Sequence, residues 1–208
     1  MQEELQVGQW HPAVAEGKRR AAGRSNYFLG AGTPVLSAEQ IALLRSLVDA
    51  ENVEASLEAY GYEGGVKFPD QRRTKVRWLN VVEQAWVYEI VWAQAMQANQ
   101  LFQFDVVPFH DTIQLARYDA EDQGFFRWHA DTTSNDLTRK ISISVPLSDP
   151  AEYEGGVLEF NENGAIYKPP QQAGAPIMFP SWLLHRVTPV TRGRRYSLVA
   201  WIRGPAWR

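Results

Sequence analysis

The chain contains no cysteine, and this absence limits the chemistry that any metal site could use. Without thiols there is no disulfide framework and no thiolate metal site, so metal ligands must be histidines or carboxylates. Only four histidines occur in 208 residues, which makes their positions informative. The lack of cysteine also fits a reducing compartment.

The sequence also lacks a long apolar run, a secretion signal and an excess of positive charge. No stretch approaches the length of a membrane span, and the first residues, MQEELQVGQW, have neither the basic start nor the apolar stretch of a signal peptide. A net charge of -3 gives no general attraction to nucleic acid or anionic membranes. We therefore expect a soluble cytoplasmic protein without a nucleic-acid or membrane partner, with its oligomeric state, monomer or homodimer, left open.

Aromatic residues, in contrast, are abundant, with eight tryptophans and 45% hydrophobic residues overall. This composition is enough for one globular core and favours a β-rich fold. Residues 1–30 are polar and include the basic cluster Lys18-Arg19-Arg20, so we expect an N-terminal arm ahead of a single domain at 31–208.

Two helices are predicted in the first half of the domain. Ser37 and Gln40 form a capping box, which places a first helix from Ala38 to about Ala50. A second helix is predicted from Glu83 to about Gln100, with an apolar stripe that would pack against the outside of a sheet. Between them, 53–60 suits a strand or a helix equally, 61–70 is a glycine-rich loop, and 74–78 is a strand. This helical support covers about 37–100.

From residue 102 the pattern changes to short β runs separated by turn residues. About eight short strands with two helices predict a mainly β, α+β domain whose core, at about 102–203, is a jelly-roll or double-stranded β-helix. The predicted strands are Phe102–Phe109, Thr112–Tyr118, Gly124–His129, Lys140–Leu147, Val157–Phe160, Pro176–Phe179, His185–Val190 and Arg195–Ile202.

A candidate metal site lies in the segment Phe125-Phe126-Arg127-Trp128-His129-Ala130-Asp131. His129 and Asp131 would project from the same face of an extended backbone, so both could reach one cation. His185, in a second apolar run, supplies a third ligand. Two histidines and one carboxylate leave the opposite coordination positions open, which suits an Fe(II) oxygenase. An isolated H-x-D pair is common by chance, so the assignment of a metal site depends also on the sequence that follows His185.

That following sequence is interpreted as a hairpin: a strand with His185, a turn over Thr191 to Arg194, and a returning strand. On the returning strand Arg195 and Ser197 would share a face, and together they can bind a carboxylate. Arg194 would point to the opposite face unless the strand contains a bulge.

At this point the chain resembles the prolyl 4-hydroxylase-like branch of the 2-oxoglutarate and Fe(II)-dependent dioxygenases. The resemblance covers about half of the chain, and the matching elements occur in the family order. They are Tyr118, His129-x-Asp131, Gly155-Gly156, His185, and Arg195-x-Ser197 followed by Trp201.

The resemblance implies a set of cofactors and roles. Fe(II) would be held by His129, Asp131 and His185, and 2-oxoglutarate by Arg195 and Ser197, with the Tyr118 hydroxyl in the same pocket. O2 is the oxidant, and ascorbate is a supporting reductant. Trp201, Arg139 and Gln114 are substrate candidates, and Gly155-Gly156 is interpreted as structural. The family's second co-substrate tyrosine corresponds to Pro146 here, so that hydroxyl is absent.

The function so implied is hydroxylation of an unactivated C–H bond, with succinate and CO2 as co-products. The substrate would be a prolyl or other amino-acid residue in a peptide or protein, or a free amino acid or other small molecule. Two alternatives remain: a Zn-dependent hydrolase, disfavoured because no general base lies near the ligands, and a non-catalytic cupin-like module that binds a metal or small anion. Neither requires the Arg195–Ser197 pair. The mouth of the site would be lined by side chains from Tyr62, Arg72, Arg73, Arg127 and Arg139, and 61–73 is a candidate lid.

Overall fold

The computed structural model describes residues 33–50, 53–54, 69–108, 111–134 and 136–207. Within these residues there are two α-helices, α1 (Ala38–Ala50) and α2 (Ala85–Phe102). The predicted capping box is present at the start of α1, where Ser37 N donates to Gln40 Oε1 at 2.8 Å and Gln40 N donates to Ser37 Oγ at 3.2 Å. Both predicted helices are confirmed, to within two residues at each end.

The rest of the described chain is mainly β-structure in two antiparallel sheets. The strands are β1 (Val53–Glu54), β2 (Arg72–Arg73), β3 (Lys75–Trp78), β4 (Gln114–Asp119), β5 (Phe125–His129), β6 (Arg139–Pro146), β7 (Tyr153–Gly155), β8 (Leu158–Glu162), β9 (Ala165–Tyr167), β10 (Ile177–Pro180), β11 (Leu184–Val187) and β12 (Val190–Arg203). The larger sheet has the order β1-β3-β4-β12-β6-β10, with β7 also paired to β12, and the smaller has the order β2-β5-β11-β8-β9.

The two faces of the larger sheet pack against different parts of the protein. Along β12, Tyr196, Leu198 and Ala200 belong to a core cluster shared with both helices, because α1 and α2 cover that face. The opposite face meets the smaller sheet, and a second apolar cluster fills part of the space between the sheets. The predicted double-stranded β-helix with helices buttressing one sheet is therefore confirmed, and the site lies between the sheets.

One predicted strand is wrong. The range Phe102–Phe109 was expected to be extended, but Phe102 is the last residue of α2, and 103–108 form no strand. Gln103 ends the helix in the left-handed region at φ 56°. The Asn99 side chain then hydrogen-bonds both the N–H and the carbonyl of Phe104 at 2.9 Å, so these backbone groups are unavailable to a neighbouring strand.

The predicted hairpin after His185 is also wrong. β11 ends at Val187 in the smaller sheet, and β12 begins at Val190 in the larger one, so the two strands face each other across the interior. Pro189 lies at the crossing and has no N–H to extend the β11 ladder. The expected turn over Thr191 to Arg194 is part of β12, where it pairs with β7.

Some predictions fall outside the described residues or concern features that the fold does not test. The N-terminal arm at 1–30 and most of the glycine-rich loop, 61–68, are not among the described residues, so the domain division and the lid remain predictions. In the part of the chain that is described, no helix combines the length and the apolar character needed to cross a membrane.

Candidate metal centre and its cavity

The three candidate metal ligands converge between the sheets. Suitable ligand atoms of His129, Asp131 and His185 all lie within 4.8 Å of one another. The two histidines are cross-strand partners in the register of β5 and β11, which explains why residues 56 positions apart meet. Asp131 follows β5 directly, and its backbone N–H donates to the Ser181 carbonyl at 2.8 Å, which fixes its position.

Each histidine ring is oriented by a backbone carbonyl. Nδ1 of His129 lies 2.7 Å from the Arg127 carbonyl, and Nδ1 of His185 lies 2.8 Å from the Leu183 carbonyl. Because a carbonyl only accepts, each Nδ1 carries the proton and each Nε2 offers its lone pair. Nε2 of His129 lies 3.7 Å from Asp131 Oδ1, and Nε2 of His185 lies 3.6 Å from Asp131 Oδ2.

Asp131 is held by a chain of two serine hydroxyls. Ser142 Oγ donates to Asp131 Oδ2 at 2.6 Å, and Ser142 is also hydrogen-bonded to Ser181 Oγ at 2.9 Å. A hydroxyl has a single proton, so Ser181 is the donor in the second bond. Such outer partners fix a ligand's orientation and tune its basicity.

The protonation states also suit a divalent metal. Burial, followed by the nearby His185, lowers the pKa of His129 to about 3, so this imidazole is neutral at pH 7. Burial raises the pKa of Asp131, but the fields of His185 and His129 and the bond from Ser142 outweigh it, so the pKa is lowered on balance. Neutral imidazole, an ionised carboxylate and open positions fit Fe(II).

Arg195 lies on β12, and its side chain is buried with 2% exposure. Its Nη1 donates to Ser197 Oγ at 3.1 Å, and its guanidinium lies 5.2 Å from the centre of the Tyr118 ring. Its Nε has no partner among the described residues, and none of their carboxylates forms a salt bridge with it. A buried cation without a fixed counter-ion indicates a place for an anionic ligand.

Side chains alternate between the two faces of β12 in this part of the strand. Arg195, Ser197, Val199 and Trp201 all line the cavity, as predicted for one face. Arg194 points away and pairs with Asp119 at 3.3 Å, with its side chain 52% exposed. The β12 register against β4 is continuous from 194 to 199, so no bulge interrupts the alternation.

The candidate metal ligands and Arg195 line a single cavity between the sheets. Tyr118 and Gln114 line it from β4, and Ser144 lines it from β6. Ser197 is the register partner of Pro146, so the missing second tyrosine hydroxyl would have stood beside Ser197. Gly156 lies against Arg195, since a Cβ at this position would be 2.9 Å from Arg195 Cδ.

The remaining candidates occupy different places. Trp201 lines the cavity, whereas Arg139 does not. The Arg139 guanidinium lies 4.2 Å from the centre of the Trp201 ring, and its Nε lies 3.7 Å from Asp111 Oδ2. Arg73 and Arg127 are exposed and do not line the cavity. Tyr62 lies outside the described residues. Asp111 also pairs with Arg203 at 2.7 Å.

Several residues of the site were missed by sequence reasoning. Ser144 lines the cavity, Ser142 and Ser181 support Asp131, and all three are buried. For Ser142 and Ser144 the available signal was the alternation Ile141-Ser142-Ile143-Ser144. Arg72 was placed only at the mouth, although it lines the cavity and donates to Gln114 Oε1 at 2.6 Å. Its strand, β2, has two residues and carries no periodic pattern.

Comparison with known proteins gives a consistent result. Residues 113–203 match the family model described as the 2OG-Fe(II) oxygenase superfamily. A PKHD-type hydroxylase of Synechococcus sp. (strain JA-2-3B'a(2-13)) is 35% identical over 177 residues, covering 81% of this chain and 75% of that protein. A PKHD-type hydroxylase of Cupriavidus metallidurans is 31% identical over 180 residues, with the same coverage of 81% and 75%.

Solved structures show the same fold. A Pseudomonas putida prolyl-4-hydroxylase superimposes with a TM-score of 0.67 at 20% identity, covering 93% of this chain and 100% of that chain. A prolyl hydroxylase in complex with a hypoxia inducible factor peptide fragment, from Trichoplax adhaerens, gives a TM-score of 0.68 at 14% identity, covering 94% of each chain.

Proposed function

Because the chain belongs to the 2-oxoglutarate and Fe(II)-dependent oxygenase superfamily, in its prolyl 4-hydroxylase-like branch, we propose that it hydroxylates an amino acid, in the first place proline, either as a residue of a peptide or as the free molecule. The single observation that carries this proposal is buried Arg195, which lies without a carboxylate partner among the described residues in the same cavity as the His-Asp-His group. The peptide held by one structural neighbour supports a peptide substrate.

Three side chains would hold the metal. His129 and His185 would each bind through Nε2, because their Nδ1 protons are engaged by backbone carbonyls. Asp131 would bind through its carboxylate while Ser142 keeps it oriented. Such preorganisation means that little side-chain freedom is lost when the metal binds.

Arg195 would bind the distal carboxylate of 2-oxoglutarate with a guanidinium edge, and Ser197 and Tyr118 stand beside that edge. When bound, Fe(II) and 2-oxoglutarate supply the chemistry: O2 places one oxygen atom in the substrate C–H bond and the other in succinate, with release of CO2. The apolar side chains that line much of the cavity, such as Phe126, Leu158 and Phe179, would limit the access of water to the reaction.

The proposal is tested by incubating the protein with Fe(II), 2-oxoglutarate and O2 in the presence of proline-containing peptides. Succinate should form in a peptide-dependent manner, and mass spectrometry should find one added oxygen on the proline. Matched peptides with alanine at that position should gain no oxygen, and the His185→Ala variant should be inactive. Equal oxidation of both peptides would exclude a prolyl target, and an absence of 2-oxoglutarate turnover with every substrate would exclude the oxygenase.

A further inference from the structure

Arg72 is a second cation in the cavity, and it enters from the opposite sheet to Arg195. It lies on the edge strand β2, paired in register with Phe126, and its guanidinium stacks 4.7 Å from the centre of the Phe126 ring. One Nη donates to Gln114 Oε1 at 2.6 Å, and this bond orients the guanidinium. Its Nε is buried without a hydrogen-bond partner among the described residues.

The Arg72 charge interacts with the candidate metal site. Tyr118 and Asp131 stabilise the charged guanidinium, and its field also acts on His129. Burial lowers the pKa of Arg72, although a guanidinium stays protonated at any physiological pH. The group is therefore a permanent positive charge next to the place where a substrate would react.

When the charges of the lining residues, the metal and 2-oxoglutarate are added, the positive charge of Arg72 has no negative charge to balance it. Among the described residues, the ionised groups that line the cavity are Arg72, Asp131 and Arg195, because a histidine binds a metal in its neutral form. A divalent metal and Arg195 together carry three positive charges, which Asp131 and the two carboxylates of 2-oxoglutarate neutralise. Arg139 is not comparable, because Asp111 and Asp136 lie 3.7 and 3.6 Å from it.

We propose that Arg72, aimed by Gln114, is a receptor for a carboxylate that the substrate carries close to the carbon that is hydroxylated. The inference rests on the proposed function and refines its substrate class. It selects an amino acid with a free α-carboxylate, either as the free molecule or as the last residue of a peptide, over a residue inside a peptide. The guanidinium edge with the unpartnered Nε offers the donor geometry that a carboxylate matches.

A second unpartnered donor in the cavity supports a polar group on the substrate. The indole Nε1 of Trp201 is buried and has no hydrogen-bond acceptor among the described residues, although the ring lines the cavity. Buried N–H groups without partners are uncommon in native proteins, so a ligand acceptor is expected for such a donor. With Arg195 assigned to the co-substrate, Arg72 and Trp201 are the donors left for the substrate.

The test uses the full chain loaded with 2-oxoglutarate and Zn(II), which permits binding without turnover. The probes are the twenty L-amino acids and their amides, compared by thermal shift. The acid and amide that bind best are then titrated by calorimetry. At least one acid should bind about tenfold or more tightly than its amide, because a charge-assisted bond to Arg72 is lost in the amide. A tripeptide ending in the same residue, as acid and as amide, separates a free amino acid from a peptide terminus.

The variants make the assignment specific. Arg72→Gln should bring the acid-to-amide preference to within about twofold, and Arg72→Lys should retain part of it, because the charge remains. Arg73→Gln is the matched control, since this neighbouring arginine is exposed and bonds the carbonyls of Pro69 and Asp122. The acid-to-amide preference of the Arg73→Gln variant should equal that of the wild-type protein. Circular dichroism spectra of all variants should be the same.

Three results would overturn the proposal. The first is that no acid binds in preference to its amide, and the second is that the preference survives in Arg72→Gln. The third is that Arg72→Gln weakens 2-oxoglutarate binding as much as Arg195→Gln does, which would place Arg72 in the co-substrate site. Failure of the proposed function would look different, because 2-oxoglutarate would then not bind to the metal-loaded wild-type protein at all.

Discussion

His185 and Arg195 approach the same cavity from two different sheets. His185 is paired with His129 within the smaller sheet, and Arg195 is paired with Tyr118 within the larger one. The separation between the metal ligands and the guanidinium is therefore set by the packing of one sheet on the other rather than by a turn. A five-carbon diacid that binds the metal at one end and Arg195 at the other would connect the two sheets.

Arg195→Gln should weaken 2-oxoglutarate binding by about a hundredfold or more, because a buried charge pair with the distal carboxylate is lost. Titration of the anaerobic Fe(II)-loaded protein with 2-oxoglutarate measures this dissociation constant. Arg194→Gln is the control, since that side chain is exposed and paired with Asp119, and it should change the constant less than about twofold. Similar losses in the two variants would contradict the assignment.

Gly156→Ala should reduce the affinity for 2-oxoglutarate indirectly, by displacing the Arg195 side chain. Gly156 has φ +57°, and an added Cβ would lie 2.9 Å from both Arg195 Cδ and Val190 Cγ2, so the Arg195 side chain must move. Gly164→Ala is a matched control, because it has φ +92° but no atom within 4 Å of the added Cβ. Both variants should lose about 1–2 kcal/mol of stability in denaturant unfolding, and only Gly156→Ala should also lose affinity.

Ser142→Ala should lower the metal affinity by about tenfold or more, because Asp131 loses the 2.6 Å bond that orients its carboxylate. Competition with a chelator of known affinity measures the effect. Ser148→Ala is a suitable comparison: Ser148 accepts a bond from the Tyr196 backbone N–H at 2.8 Å, away from the metal ligands. It should cost stability and leave metal affinity unchanged, and a reversed pattern would show that Ser142 does not support the site.

The metal-free protein should lose stability as the pH falls from about 6.5 towards 3. The pKa of His129 is near 6.5 in an unfolded chain and is lowered to about 3 in the folded protein. The unfolded state therefore binds the proton first, and the folded state loses up to about 2 kcal/mol between pH 6.5 and 5. Urea unfolding at pH 7 and pH 5 in the presence of a chelator measures this loss.

His129→Asn should remove this part of the pH dependence, because asparagine does not titrate. The difference in free energy of unfolding between pH 7 and pH 5 should then be smaller in the variant than in the wild-type protein. An equal difference in both proteins would mean that His129 is not kept neutral by its surroundings.

The sequence predicted which face of a strand each side chain occupies better than it predicted how the strands are connected. The period-two alternation puts Arg195 and Ser197 on one face and Arg194 on the other, and this holds in β12 because local backbone geometry alone decides it. The hairpin after His185 failed because a turn-like sequence does not reveal which sheet the next strand joins. That choice depends on long-range pairing with β4 and β6.

The partners of the site residues were harder to predict for a related reason. The His129-x-Asp131 spacing is visible in the sequence, but the bond from Ser142 to Asp131 joins different strands and depends on register. Arg72 is missed for the same reason, since β2 has two residues and its contact with Gln114 spans 42 positions. Contacts of this kind follow from the assembled fold and not from a local pattern.

The most direct test of the account is the visible spectrum of the protein with Fe(II) and 2-oxoglutarate in the absence of O2. We predict that a charge-transfer band appears when 2-oxoglutarate is added to the Fe(II)-loaded wild-type protein, and that it is lost in His129→Ala. No band in the wild-type protein, or an unchanged band in His129→Ala, would contradict the assignment of His129, Asp131 and His185 as the iron ligands.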